Sequence, residues 1–282
     1  MENSRLVGFA YKRSEISDED IVNLIGSAPK LTQYHVFDAE KEGLPLRSYQ
    51  RFLEACETQG RSRAVYTLQI LAEDSERLLE EFVRTVEGRE RHAGIALVLG
   101  SSKYPLKRKR GKPLEIWREA MEKAVEKLSP LPMPILLAGI GKRMLSVNEE
   151  VREKFAGTPI RHYLYLTPRL EKRWWLRKPL FYLPISFEET LEKAVSLSAH
   201  YFSRALGIEV EEIRAAIQRG GWEAEKLVQL AKPYFLLTSP RFLMEDLKKY
   251  PSELLVKVLG SEEREKDIKT EYLKMFKQLE AS

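Results

Sequence analysis

Two short stretches set small residues directly after long apolar runs. Gly100-Ser101-Ser102 follows the run GIALVL, and Gly139-Ile140-Gly141-Lys142 follows PILLA and opens a helical segment. Small residues let the backbone approach a ligand closely. Free amides at a helix start, reinforced by the helix dipole, favour a phosphate or carboxylate, and Lys142 would add charge. The same pattern also suits a tight turn that uses Gly only for geometry, and spacing alone leaves both readings open. Two familiar phosphate motifs do not fit the second turn. A P-loop needs Gly where Leu136 stands and Ser or Thr where Arg143 stands. A dinucleotide fingerprint needs a third Gly where Met144 stands.

Acid–base candidates are few. Asp38 ends an apolar stretch and is placed for proton transfer, although an acid there can equally cap the next loop. His35, three residues earlier, is either a second catalytic candidate or a packed, hydrogen-bonded residue, depending on which face of its strand it occupies. His92, His162 and His200 share no metal-ligand spacing, and Cys56 is the chain's single cysteine, so neither a metal site nor an intrachain disulfide is expected. The basic run Lys107-Arg108-Lys109-Arg110-Gly111-Lys112 reads as a solvated loop, an anion-binding loop or a nucleic-acid patch. Only Tyr104 and Trp117 lie near it for base stacking, which makes nucleic acid the weakest of the three.

The composition is that of a globular chain: 282 residues, 43% hydrophobic, 32% charged, with 47 bases against 42 acids. No apolar run is long enough to span a membrane, and the first residues lack the basic-then-apolar pattern of a secretory signal, so a cytoplasmic protein is expected. Three Asn and seven Gln against abundant Glu, Lys and Arg is a balance associated with high-temperature proteins.

The elements that must carry these residues alternate. Strands are expected at Arg5–Tyr11, Thr32–Phe37, Arg63–Leu71, Gly94–Gly100, Pro134–Gly139, Arg161–Leu166, Phe181–Ile185 and Leu254–Leu259. Helices are expected between them. One starts at the capping-box-like Ser17-Asp18-Glu19-Asp20, one runs from about Leu46 to Gly60, and one is capped by Ser75 and closed by Gly88. Others run from Pro113 to Leu128 and from Lys142 onward, with a last one at Glu262–Leu279. Two long helical stretches, about 187–206 and 210–231, and a third beginning at Ser239-Pro240 form an insertion at about 187–250 before the last strand. Parallel strands need a crossover each, and eight such units in one domain spanning 1–282 fit a closed (β/α)8 barrel better than an open doubly wound sheet. Both glycine turns and Asp38 then fall at the carboxyl ends of strands, where barrels of this type carry their sites.

At this point the sequence resembles a known family. The run PILLAGIGKRML (134–145) is similar to the P-I-x-x-A-A-x-G-P-K-M-L segment of the bacterial-luciferase-like superfamily. GIALVLGSS, followed at a distance by PLEIWREAMEKAV, resembles its L-G-L-G-x-G strand and the next helix. TSPRFLMEDLKKY resembles its G-T-P-E-E-V-x-x-x-L-x-x-Y segment, which likewise follows a long helical insertion. The similarity spans the order of elements along most of the chain and holds residue by residue from about 94 to 250. It implies a (β/α)8 barrel binding FMN or the deazaflavin F420, and an oxidoreductase that moves a hydride between that cofactor and a small-molecule substrate. Gly100, Ser101 and Ser102, with Gly139, Ile140, Gly141 and Lys142, would hold the cofactor phosphate, and the basic loop at 107–112 would receive the acidic tail of F420.

The chain also departs from the family. Phe37-Asp38-Ala39 keeps only the acid of an Asp-His pair. The third strand carries Thr67-Leu68-Gln69-Ile70-Leu71-Ala72 where a small-residue bulge packs against the ring, and Phe155-Ala156-Gly157 keeps only the Gly of A-D-G. A barrel without cofactor, its ring pocket filled by Leu68, Gln69 and Ile70 and serving as a binding or structural subunit, is therefore the rival expectation. A homo-oligomer is expected, with the aromatic cluster Trp174, Trp175, Phe181 and Tyr182 as core or interface.

Overall fold

A computed structural model describes residues 5–13, 15–37, 44–98, 113–138, 142–165, 179–250, 253–259 and 265–281. The strands are β1 (Arg5–Tyr11), β2 (Tyr34–Phe37), β3 (Arg63–Gln69), β4 (Ala93–Val98), β5 (Ile135–Ala138), β6 (Ile160–Tyr165), β7 (Leu180–Ser186), β8 (Leu236–Leu237) and β9 (Glu253–Val258). β1 to β6 pair in sequence order, β6 pairs with β7, β7 with β9, and β9 with β1, all in parallel. Eight strands therefore close into a barrel. The two-residue β8, which the sequence pattern does not reveal, pairs with the last two residues of β7, past the point where β6 ends.

Helices cover the outside: α1 (Asp18–Ser27), α2 (Leu46–Gln59), α3 (Ser75–Val86), α4 (Pro113–Leu128) and α5 (Lys142–Lys154) follow β1 to β5 in turn. The insertion between β7 and β9 contains α6 (Leu191–Leu197), α7 (Ala199–Leu206), α8 (Val210–Arg219), α9 (Gly221–Ala231) and α10 (Leu243–Leu247), and α11 (Glu265–Ala281) follows β9.

The period of two along the strands, interrupted in β1 where its register with β9 shifts between Leu6 and Gly8, divides the apolar residues into two layers. Phe9, Tyr66, Ile95, Leu137, Leu164, Leu183 and Val256 face outward into the continuous core beneath the helices. Val7, Ala10, Tyr34, Val36, Val65, Ala96, Leu136, Ala138, Tyr163, Tyr182 and Leu255 face inward and fill the barrel. Both faces are buried, which is why these strands read as almost unbroken apolar runs. The insertion has its own cluster, in which Phe202, Ile213, Val228 and Phe235 pack together.

Local signals explain most boundaries. Ser17 Oγ accepts from the Asp20 amide at 3.2 Å and caps α1, and Gly60, at φ 77°, ends α2 in the left-handed conformation. Three expected features differ. Each long stretch of the insertion is broken in two. Gly220 and Gly221, both at positive φ, separate α8 from α9, and a non-helical Ser198 separates α6 from α7. Ser239-Pro240 lies outside a helix. The helical turn begins at Leu243 and is tied back by the Thr238 hydroxyl, which donates to Asp246 at 2.6 Å. Ser75 is the first residue of α3 rather than its cap.

Candidate active site

The mouth of the barrel is defined by the carboxyl ends of its strands. β4 and β5 are neighbours in register, with Leu97 beside Leu137. β4 ends at Val98 and β5 at Ala138, so the two glycine turns are attached to adjacent strand ends, which lie ~5 Å apart in a sheet. Gly100, Ser101, Ser102, Gly139, Ile140 and Gly141 themselves lie outside the described residues, as do Asp38 and the basic loop 107–112. Lys142 opens α5, four residues after the last residue of β5.

The end of β5 is held by a buried amide. Asn148, on the second turn of α5, donates from Nδ2 to the Ala138 carbonyl at 3.1 Å and accepts from the Trp117 indole of α4 at 3.0 Å. One residue thus fixes α4, α5 and the strand end beside the second turn. Asn is costly inside a helix unless its side chain finds such partners.

His35 lies in the layer between barrel and helices. It is fully buried, stacked against Tyr11 at 5.7 Å between ring centroids, with the Tyr11 hydroxyl 3.0 Å from Nδ1. Burial, with Arg61 nearby, pushes its imidazole down to about 3, so the ring is neutral at physiological pH. Of its two expected placements, the outward one holds. There it is walled off from the mouth by its own strand, and its contacts are those of a packing residue. His162 is also outward. Its Nε2 is 2.5 Å from Glu149 of α5, whose carboxyl is held down at about 2, chiefly by Arg152.

The third strand is corrected in detail. Leu68 and Ile70 belong to the outer core, so of the three residues expected to fill a ring pocket only Gln69 points inward. Thr67 joins it. The inward row of β3 is Val65, Thr67 and Gln69, and Thr67 Oγ1 is buried without a hydrogen-bond partner among the described residues. The inner layer is uneven in bulk: β4 and β5 contribute Ala96 and Ala138 beside Leu136, whereas β6 and β7 present Tyr163 and Tyr182 in edge-to-face contact. Phe181 and Tyr182 therefore lie on opposite faces of β7 and form no single cluster; Trp174 and Trp175 lie outside the described residues.

The mouth also holds a group of charges that sequence reasoning missed. Lys12 follows the last residue of β1, and a tight turn, with the Glu15 and Ile16 amides donating to the Lys12 carbonyl, folds Glu15 back over it. Lys257, two residues beyond the inward-facing Leu255 on β9, points into the barrel. Both ammonium groups contact the same oxygen, Glu15 Oε1, at 3.5 and 3.3 Å. The three side chains are 9%, 3% and 4% exposed. A polar residue in an otherwise apolar strand, as at Lys257 in LLVKV, is the only local signal for this group. Among the described residues no three His, Cys, Asp or Glu side chains converge as a metal site, and no helix is long and apolar enough to cross a membrane.

No protein-family model matches the chain, and no curated protein matches it in sequence. Solved structures do. Apo-MsnO8 superposes with a TM-score of 0.61 at 13% identity, covering 99% of both chains. The EDTA monooxygenase EmoA from Chelativorans sp. BNC1 gives 0.58 at 8% identity over 98% of this chain and 94% of its own. DmoA from Hyphomicrobium sulfonivorans gives 0.51 at 8% identity over 99% and 89%. At such identities the likeness concerns the fold alone: the chain shares the (β/α)8 barrel of these three proteins, a fold that agrees with the one implied by the resemblance of residues 94–250.

Proposed function

We propose that this chain is a flavin- or F420-dependent oxidoreductase acting on a small molecule held in the barrel mouth. The observation that carries this reading is the attachment of both glycine turns to the neighbouring ends of β4 and β5 in a barrel of this fold. The residues present suit such a group. Ala96 and Ala138 set two small side chains on the β4–β5 side of the interior, beside Leu136, and Thr67 offers a buried hydroxyl with no hydrogen-bond partner among the described residues. In this reading Gly100, Ser101 and Ser102, with Gly139, Ile140, Gly141 and Lys142, hold the phosphate. Thr67 and Gln69 meet the polar edge of the ring, and Asp38 at the end of β2 holds or releases the substrate proton. The bound (deaza)flavin supplies the hydride chemistry, while the protein orients it and excludes water. Asp38 is the acid–base residue and His35, in its outward position, supports the strand.

Titration of purified protein with FMN and with F420, followed by quenching of their fluorescence, tests the reading and separates the two cofactors. Saturable binding of either supports it, and a lack of binding of both to high micromolar concentration removes it. A cofactor-free barrel is the second reading. It is favoured by Gln69, which points inward where the resemblance calls for a small residue, and it predicts the negative outcome.

A further inference from the structure

Four large apolar side chains are exposed among the described residues, and three of them sit at opposite ends of the barrel beside charges of opposite sign. Leu31, 78% exposed, stands in the loop before β2, at the amino end. Arg61, before β3, donates to the Ala28 carbonyl of that loop at 3.1 Å, and His92, before β4, lies 3.1 Å from the Ser62 carbonyl. Three neighbouring loops thus form one surface. On it Lys30, Arg61 and Arg91 are exposed, and none has a carboxylate partner among the described residues. The acids of these loops, Glu87 and Glu90, both precede Arg91, and Glu90 is engaged by the Gly88 amide at 2.9 Å. At the other end the insertion follows β7, and Leu259, one residue past β9, belongs to its apolar cluster, so the insertion is anchored at the carboxyl end. Trp222 and Leu230 are 70% and 46% exposed on α9. On the adjoining α8 and its cap, Glu209, Glu211 and Glu212 are exposed, again without a basic partner among the described residues. Lys226, 4.9 Å from the Trp222 ring, is the neighbouring cation. Helix dipoles suit acids at a helix start and bases near helix ends, but they do not account for the apolar side chains left in water beside them.

We infer that the amino-end surface around Leu31 docks on the α8–α9 surface of a second copy of this chain. A second copy is the partner because each surface supplies what the other lacks. One is an exposed leucine among unpaired bases, and the other is an exposed tryptophan and leucine beside unpaired acids. The charge match sets direction and register, and burial of the tryptophan and the two leucines supplies the affinity. The two surfaces differ, so the contact is heterologous. A molecule that uses one face leaves its other face free, and the assembly grows past the dimer as a ring or an open chain. The contact needs no cofactor and stands apart from the oxidoreductase reading.

Sedimentation velocity from low to high micromolar concentration, in low and in high salt, tests the contact on wild type, Leu31→Asp and Trp222→Ser. Both side chains are exposed, so the two variants are expected to keep the melting midpoint of wild type. Wild type is expected to grow past the dimer as concentration rises, and to dissociate as salt screens the charges. Each variant alone is expected to lose roughly tenfold or more in association constant. Mixed in equal amounts where each is monomeric, the two variants are expected to pair one to one and stop there. Trp222→Ser keeps its amino face and Leu31→Asp keeps its α9 face, and no other intact combination exists in the mixture. Wild type that stays monomeric, or that stops at a symmetric dimer, overturns the inference, and neither result depends on a variant folding. Assembly indifferent to salt or to both substitutions overturns it as well, and so does a mixture that remains two monomers.

Discussion

Gly8 has no room for a side chain. A Cβ there would lie 2.2 Å from the Tyr34 carbonyl oxygen and 2.7 Å from Leu255, at the point where the β1–β9 register shifts. The nearer atom belongs to the backbone of a paired strand and cannot swing away. Gly8→Ala is expected to cost about 3 kcal/mol or more, read as a lowered denaturation midpoint; an unchanged midpoint would show that the strands can separate locally. His35 leads to a pH dependence. An unfolded histidine takes a proton below about pH 6.5, whereas folded His35 stays neutral down to about 3. The unfolded state therefore binds more protons across that window, and stability falls as pH drops from 6.5 toward 3, by at most about 1.4 kcal/mol per pH unit for this group. His162, also shifted down by burial, acts with the same sign. Urea unfolding at pH 7.5 and 4.5 should show a smaller loss for His35→Gln than for wild type, and equal losses would refute the assignment. His35 was visible in the sequence as a candidate, but its face was not, because a two-residue period has no sign until the strand's partners are known.

At the scale of elements, Asn148 binds α4 and α5 to the end of β5. Asn148→Leu would leave the Trp117 indole N–H and the Ala138 carbonyl buried without partners, at a cost of about 2–4 kcal/mol. Thermal and urea unfolding measure that cost, and a change below about 1 kcal/mol would mean that water replaces the amide. The loss should also weaken binding at the adjoining turn, which cofactor titration of the folded variant detects. The cap at Ser17 and the glycine stop at Gly60 were legible because each is local chemistry within a few residues. The insertion was less so. Apolar spacing runs through the sequence around Gly220-Gly221 and Ser198, and only backbone conformation shows where the helices break.

For the molecule as a whole, the proposed binding mouth lies at the carboxyl ends of the strands, which leaves the opposite end to stability and to the proposed contact between copies. At the amino end Arg161 and Glu253, on β6 and β9, form a partly exposed ion pair inside the rim. Glu253→Gln is expected to change stability by no more than about 1 kcal/mol and to leave FMN and F420 binding as in wild type. A drop in ligand affinity would contradict this separation of faces. At the carboxyl end Tyr272 of α11 ties the closing seam: its hydroxyl donates to the Ala10 carbonyl at 2.6 Å and accepts from the Val258 amide at 3.0 Å. The helix after the last strand thus locks that strand to the first, beside Lys12 and Lys257.

The alternation of apolar runs with helical segments determined the closed parallel barrel, and the motifs at 94–145 determined which strand ends carry the glycine turns, because both are written in neighbouring residues. Tertiary structure alone decided which face of each strand His35, Leu68 and Thr67 occupy, and it brought Lys257 to Glu15 across 242 residues of chain. Side-chain periodicity is local, whereas the pairing of last strand with first depends on the tilt and stagger of all eight, and nothing in a short window of sequence encodes that sum.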